Sequence, residues 1–258
     1  YSLSLISITL FCSPFLFFQK KILKKNIYIA TFLLVIFSSN YTYGIFKLNK
    51  KIYAFDEKIN VKIISPNFSL KDYYKNSEEH QIKRLIKISN PDKNENTLFI
   101  WPEGVFYDSY LEDIKKYKNL FEDSFSENHL IIFGINHFIN TNDSDSQKYF
   151  NSLVVLNNKL EILSLYNKIN LVPFGEFLPF ENLLKSFGLK TITNDYQSYS
   201  RGEERNIIDL KYNNLSVKIL PLICYEIIYS GKIFTNSNFD YIVNISEDGW
   251  FGKSIGPE

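Results

Sequence analysis

The chain has 258 residues, 29 Lys+Arg against 28 Asp+Glu, and a formal net charge of +1, a balance that excludes a nucleic-acid binder held by a strong basic field. A composition that is 45% hydrophobic and 17% aromatic excludes intrinsic disorder, and 258 residues are enough to bury a sizeable core. Two cysteines, Cys12 and Cys224, make no disulfide framework, and the three histidines form no Cys/His pair with metal-ligand spacing.

The chain starts at Tyr1 and contains no Met, so it is expected to be a piece of a longer protein. Residues 1–18 carry no charge and have Pro14 in their midst, which reads as a partial transmembrane segment. A basic loop follows at 19–26, with Lys20, Lys21, Lys24 and Lys25. Residues 27–46 are again uncharged. Twenty helical residues span about 30 Å, the thickness of the hydrocarbon core, so 27–46 is expected to be a transmembrane helix. Its second half, with Ser38, Ser39, Asn40 and Thr42, is the more polar one. Lysines flank both ends (Lys47, Lys50 and Lys51 beyond the second), so charge counting leaves the orientation open.

From about Tyr53 short β-rich runs alternate with polar, helix-like stretches, the pattern of a layered α/β domain over 53–258. Strands are expected at Asn60–Ser65, Thr97–Trp101, Leu130–Ile135, Ser152–Leu156, Leu160–Leu165, Ser216–Ile223 and Tyr241–Ile245. Asn157-Asn158 suits a hairpin turn between the fourth and fifth of these runs. Tyr73–Ser89 and Leu111–Asn128 read as amphipathic helices, and Asn140–Ser146 as a polar loop. The glycines form neither G-x-G-x-x-G nor a phosphate loop, so no nucleotide cofactor is expected.

Three polar side chains each follow an apolar strand, where a rigid sheet can present them: Glu103 after TLFIWP, Lys168 after LSLYN, and Cys224 after SVKILPLI. A thiol becomes a nucleophile when a positive charge favours its thiolate and a base takes its proton. No histidine stands near a strand end, so a lysine and a carboxylate are the available partners. A free cysteine is more often plain core, and a Glu or Lys in a turn is more often solvated. Spacing along the chain does not decide whether the three meet.

The segments WPEGVF (101–106), YNKINLVPFGEFLPFE (166–181), LPLICYEIIY (220–229) and NISEDGWFGKSIGP (244–257) resemble the nitrilase, or carbon-nitrogen hydrolase, superfamily. Within it they are most similar to the apolipoprotein N-acyltransferase family, over roughly residues 27–258. The resemblance implies an αββα sandwich, preceded here by one complete and one partial transmembrane helix. It also implies that the domain is cut short at its C-terminus, before a closing strand and helix. One departure stands out: Glu247-Asp248-Gly249-Trp250 occupies a stretch where that family's pattern has Asn-Asp-Ala-Trp.

The resemblance assigns roles. Glu103 is the expected general base, Lys168 the stabiliser of thiolate and oxyanion, and Cys224 the nucleophile carrying an acyl thioester. Glu176 matches a second carboxylate that positions Lys168 or the amine. Tyr225 is expected to supply an oxyanion N–H; Glu226 either braces the site or is a salt-bridged structural carboxylate. The implied reaction moves a fatty acyl group from a phospholipid donor to the N-terminal amine of a diacylglyceryl apolipoprotein, with no cofactor and no nucleic acid. The implied location is the bacterial inner membrane, with the domain on the periplasmic side. The apolar stretch Val172–Leu189 is expected either to be core or to include an arm that dips into the bilayer interface. Two other functions remain open: a nitrilase-family amidase acting on a small amide, and an inert membrane-anchored binding domain.

Overall fold

A computed structural model describes residues 2–17, 24–49, 60–68, 76–140, 147–179, 198–213, 215–229, 233 and 238–247. The chain divides into two compact units, Tyr1–Lys58 and Ile59–Glu258.

The first unit holds helix α1 (Ser2–Cys12), a 3-10 turn (Ser13–Phe17) and helix α2 (Lys24–Leu48). α1 stops at Cys12, directly before Ser13-Pro14, because the residue before a proline is sterically disfavoured in the α region. The Ser13 hydroxyl donates back to the Leu10 carbonyl at 2.7 Å. At 25 residues α2 exceeds the expected 27–46 at both ends, and it runs roughly 37 Å. Lys24–Lys47, with a mean hydropathy of 1.4, is long and apolar enough to cross a membrane by length and composition. Its hydroxyls do not spoil that: Thr31 donates to Ile27 O, and Thr42 to Ser38 O, both at 2.9 Å.

The second unit contains two sheets. In the first, β1 (Asn60–Ile63), β2 (Thr97–Ile100) and β4 (His129–Asn140) run parallel, and β5 (Gln147–Asn157) and β6 (Ile162–Asn167) add antiparallel strands in the order β1-β2-β4-β5-β6. β3 (Phe106–Tyr110) joins the far end of β4, pairing Phe106 with Ile135. The second sheet is β7 (Ile208–Tyr212), β8 (Leu215–Ile223) and β9 (Tyr241–Ile245), antiparallel and then parallel.

Strand periodicity builds the layers. Residues Leu98 and Ile100 of β2, Leu130 and Ile132 of β4, and Leu153 and Val155 of β5 point one way. There they pack against Leu210, Val217, Ile219, Val243 and Ile245 of the second sheet. The alternate residues Phe99, Ile131, Phe133, Val154 and Leu156 point the other way, into a core shared with helix α3 (Glu78–Ser89) and the turn after β3. Burial on both faces explains why these strands read as unbroken apolar runs. Leu220 and Leu222 face outward from the second sheet and pack with Ile233. The second helical layer of the expected sandwich falls outside the described residues.

Differences from expectation are local. The stretch 111–128 is not one helix: Leu111–Tyr117 is a 3-10 turn and only Lys118–Ser124, helix α4, is α-helical. The hairpin loop is longer than Asn157-Asn158, because Asn157 closes it with its own side chain. Its Oδ1 accepts from the Lys159 and Glu161 N–H groups at 2.9 and 3.0 Å, and Leu160 sits at φ +58°. β3 and β7 were not expected at all. The loop positions 141–146 and the helix positions 73–75 lie outside the described residues.

Candidate active site

Glu103 sits on the turn that leaves β2, just before Gly104, whose φ of +72° lets the chain reverse. Only 15% of its side chain is exposed. Its Oε1 accepts from Asn151 Nδ2 at 2.6 Å and lies 3.8 Å from Lys168 Nζ.

Lys168 follows the last residue of β6 and is buried. Its N–H donates to Asn151 O, and its carbonyl accepts from Gly202 N–H, both at 2.9 Å. The contact with Gly202 is so close that a Cβ there would lie 2.2 Å from Asn167 O. The preceding Asn167 is held in turn: its Oδ1 accepts from Ser152 Oγ at 2.7 Å and lies 3.1 Å from His137 Nε2. The Lys168 ammonium donates to Glu176 Oε1 at 2.9 Å.

Glu176 is turned inward by a tight loop. Glu176 N–H donates to Val172 O at 2.8 Å, and its own Oε2 accepts the Val172 N–H at 2.9 Å. Phe174 in this loop adopts φ +63° and is exposed, whereas Leu178 is buried. The rest of the expected apolar arm, including Phe180, Leu183, Leu184, Phe187 and Leu189, lies outside the described residues. One amide joins the two carboxylates, since Asn151 Nδ2 also donates to Glu176 Oε1 at 2.8 Å. Glu103, Lys168, Glu176 and Asn151 therefore form one hydrogen-bonded cluster.

Cys224 directly follows β8 and starts a 3-10 turn, Cys224–Ile228, at φ +54°. A non-glycine residue there costs about 1–3 kcal/mol and is found mostly where the surroundings impose it for function. The Tyr225 N–H donates to the sulfur. Ser246 Oγ, at the end of β9, stands 4.0 Å from it. The Tyr225 hydroxyl meets Leu171 O at 3.5 Å and is bonded to the Tyr229 hydroxyl.

Burial pushes the Cys224 thiol up, and the Glu103 charge adds to that, while Lys168 pulls it down. Burial also raises Glu103, against the Lys168 charge and the Asn151 hydrogen bond. At Lys168 burial acts to lower the proton affinity. Glu103 and Glu176 outweigh it, so the ammonium is held above the ordinary lysine range. The resting cluster is thus a neutral thiol beside a fixed cation and a carboxylate with enhanced proton affinity. Glu247 stands across from Gly104, and its charge raises Glu103 further. Asp248, Gly249 and Trp250 lie outside the described residues.

Glu226 is an ion-paired carboxylate, 2.7 Å from Arg205 Nη2. It is buried and accepts from the N–H groups of Ile169, Asn170 and Ile223 at 3.1, 3.0 and 3.0 Å. Tyr166 OH donates to it at 2.9 Å and Arg205 Nη2 at 2.7 Å. It ties the backbone just after Lys168 to the backbone just before Cys224. Sequence reasoning missed Asn151, Arg205, Ser246 and the two glycines. Asn151 left one trace, a polar residue at the edge of the apolar run SLVVL. Among the described residues no group of His, Cys, Asp or Glu is arranged to hold a metal ion.

The sequence profile of the carbon-nitrogen hydrolase family matches residues 71–258, which takes in all of these side chains. The chain belongs to the carbon-nitrogen hydrolase family. Among curated relatives, the apolipoprotein N-acyltransferase of Rickettsia prowazekii is 29% identical, over 100% of this chain and 50% of the relative. That of Allorhizobium ampelinum is 24% identical, over 100% of this chain and 48% of the relative. The chain thus spans about half the length of the curated relatives it matches. A solved carbon-nitrogen hydrolase from Helicobacter pylori covers 73% of this chain and 59% of its own, at 16% identity and a TM-score of 0.42.

Proposed function

We propose that this chain carries the catalytic part of a membrane-bound acyltransferase, which moves a fatty acyl group from phospholipid to the N-terminal amine of a diacylglyceryl apolipoprotein. The observation that carries this reading is the extent of the match. Relatives bearing the N-acyltransferase name align across the whole chain, so the apolar helix and the Cys224 region come together in one sequence. In this reading α2 anchors the domain at the periplasmic face of the inner membrane, where both lipid substrates are confined.

Glu103 is the general base, Cys224 the nucleophile and Lys168 the fixed cation. The thiol proton moves to Glu103 as sulfur attacks the ester carbonyl of the phospholipid. Moving it within the cluster keeps the local charge constant, whereas losing it to water would add a second uncompensated negative charge beside Glu103 and Glu176. The Lys168 ammonium and the Tyr225 N–H face the developing oxyanion. Glu103 then returns the proton to the departing lysophospholipid oxygen, leaving a thioester. In the second half the acceptor amine attacks the thioester carbonyl and gives a proton to Glu103. Glu103 passes that proton to the released thiolate. Glu176 and Asn151 hold the lysine and the base in register, and Glu226 sets the distance between the two strand ends.

Incubating the full-length protein with phospholipid and no acceptor is expected to add one fatty-acyl mass to the peptide containing Cys224, released by neutral hydroxylamine. Transfer activity with an unmodified Cys224 overturns the mechanism. If small amides are hydrolysed while phospholipid leaves no acyl group, the amidase reading replaces it. The pH profile is a second check. Thioester formation needs Glu103 unprotonated, and burial raises its proton affinity. The rate is therefore expected to rise with pH along a limb centred above the ordinary carboxylate range of about 4.3. A limb at or below that value contradicts Glu103 as the base.

A further inference from the structure

The backbone of β4 runs directly beneath Glu103. Gly134 N–H donates to Pro102 O at 3.3 Å. A Cβ added at Gly134 would lie 2.8 Å from Glu103 Cα and 3.3 Å from Glu103 Cβ. Side chains do not approach a backbone carbon that closely, so any residue but glycine must push Glu103 away from β4. That direction matters. β4 is paired along its length with β5, where Asn136 faces Asn151. Asn151 donates to the Glu103 carboxylate, and its carbonyl holds the Lys168 N–H. Displacement from β4 is therefore displacement from the donor and from the lysine together.

We infer that Gly134 is a positioning residue for the general base: its missing side chain sets the depth at which Glu103 meets Asn151 and Lys168. The inference rests on the proposed role of Glu103. An error of about 1 Å in the position of a reacting group costs on the order of 10²-fold in rate, even when the substitution itself touches no substrate. A carboxylate moved off Asn151 also loses a hydrogen bond that favours its charged form, so it binds its proton more tightly.

The same Cβ would lie 3.1 Å from Ile245 Cδ1, on the second sheet. That contact is ordinary overpacking, and it supplies the control. Ile245→Val removes the Cδ1 atom and makes room on that side only. In Gly134→Ala the rate of Cys224 acylation by phospholipid is expected to fall by about 10²-fold, with the acidic limb of its pH profile moved upward. In the Gly134→Ala/Ile245→Val double variant the melting temperature is expected to recover in part, by the share owed to Ile245 Cδ1, while the rate and the limb do not recover. Where Gly134→Ala alone fails to fold, the double variant is compared with Ile245→Val on the same two readouts. A rate and limb restored by Ile245→Val, or an unchanged limb in a folded variant, overturns the positioning role. If the parent protein itself forms no acyl-Cys224, the proposed function fails instead, and the two failures are told apart by that measurement.

Discussion

Cys224→Ala is expected to end acyl transfer, by about 10⁴-fold or more, without unfolding the protein. The size follows from chemistry. Losing the nucleophile of a coupled catalytic group removes nearly all of its effect. The structural cost is small because the thiol is only half-buried and an alanine leaves the strand end in place. A companion variant tests the strain. Cys224 holds φ +54°, which glycine adopts freely, so Cys224→Gly is expected to be equally inactive yet to melt higher than Cys224→Ala. Activity surviving in either variant refutes the thioester route. A Cys224→Gly protein that melts lower than Cys224→Ala shows that the turn is not under strain.

Glu226→Ala is expected to have the largest effect on stability. The carboxylate is buried and takes hydrogen bonds from three backbone N–H groups, the Tyr166 hydroxyl and the Arg205 guanidinium. Removing it takes the shared acceptor from three backbone N–H groups and breaks the ion pair with Arg205, whose side chain is itself largely buried. Breaking one side of a buried ion pair costs about 3–5 kcal/mol, which lowers the melting temperature of a domain of this size by roughly 10 °C. Differential scanning calorimetry of the parent and the variant reads this directly. The same variant should also lose acylation, because the Lys168 and Cys224 strand ends are no longer tied together. A variant that melts within about 2 °C of the parent removes Glu226 from the role of clamp.

These expectations separate what is local from what is not. The two-sided burial of β2, β4, β5 and β8 shows in the sequence as continuous apolar runs, and Glu103 and Cys224 stand just past the ends of two of them, whereas Lys168 follows the half-exposed β6. β3 and β7 were invisible because FYDSY and IDLKY are short and half polar. They become strands only because a longer neighbour offers its edge. The single helix expected at 111–128 failed for a related reason. Its apolar spacing is compatible with a 3-10 turn, and packing of Leu111 and Ile114 into the core chose that form.

The sequence by itself determined the layered α/β class and the apolar N-terminal helix, since each is a matter of residue type and local period, and its resemblance to a known family singled out Glu103, Lys168 and Cys224 as candidates. Only the tertiary structure decided that Asn151 bridges two carboxylates, that Arg205 pairs with Glu226, and that Gly134 and Gly202 must lack side chains. Those facts depend on the distance between segments tens of residues apart. No periodicity encodes such a distance: it is set by how the two sheets stack and by how closely one backbone passes another.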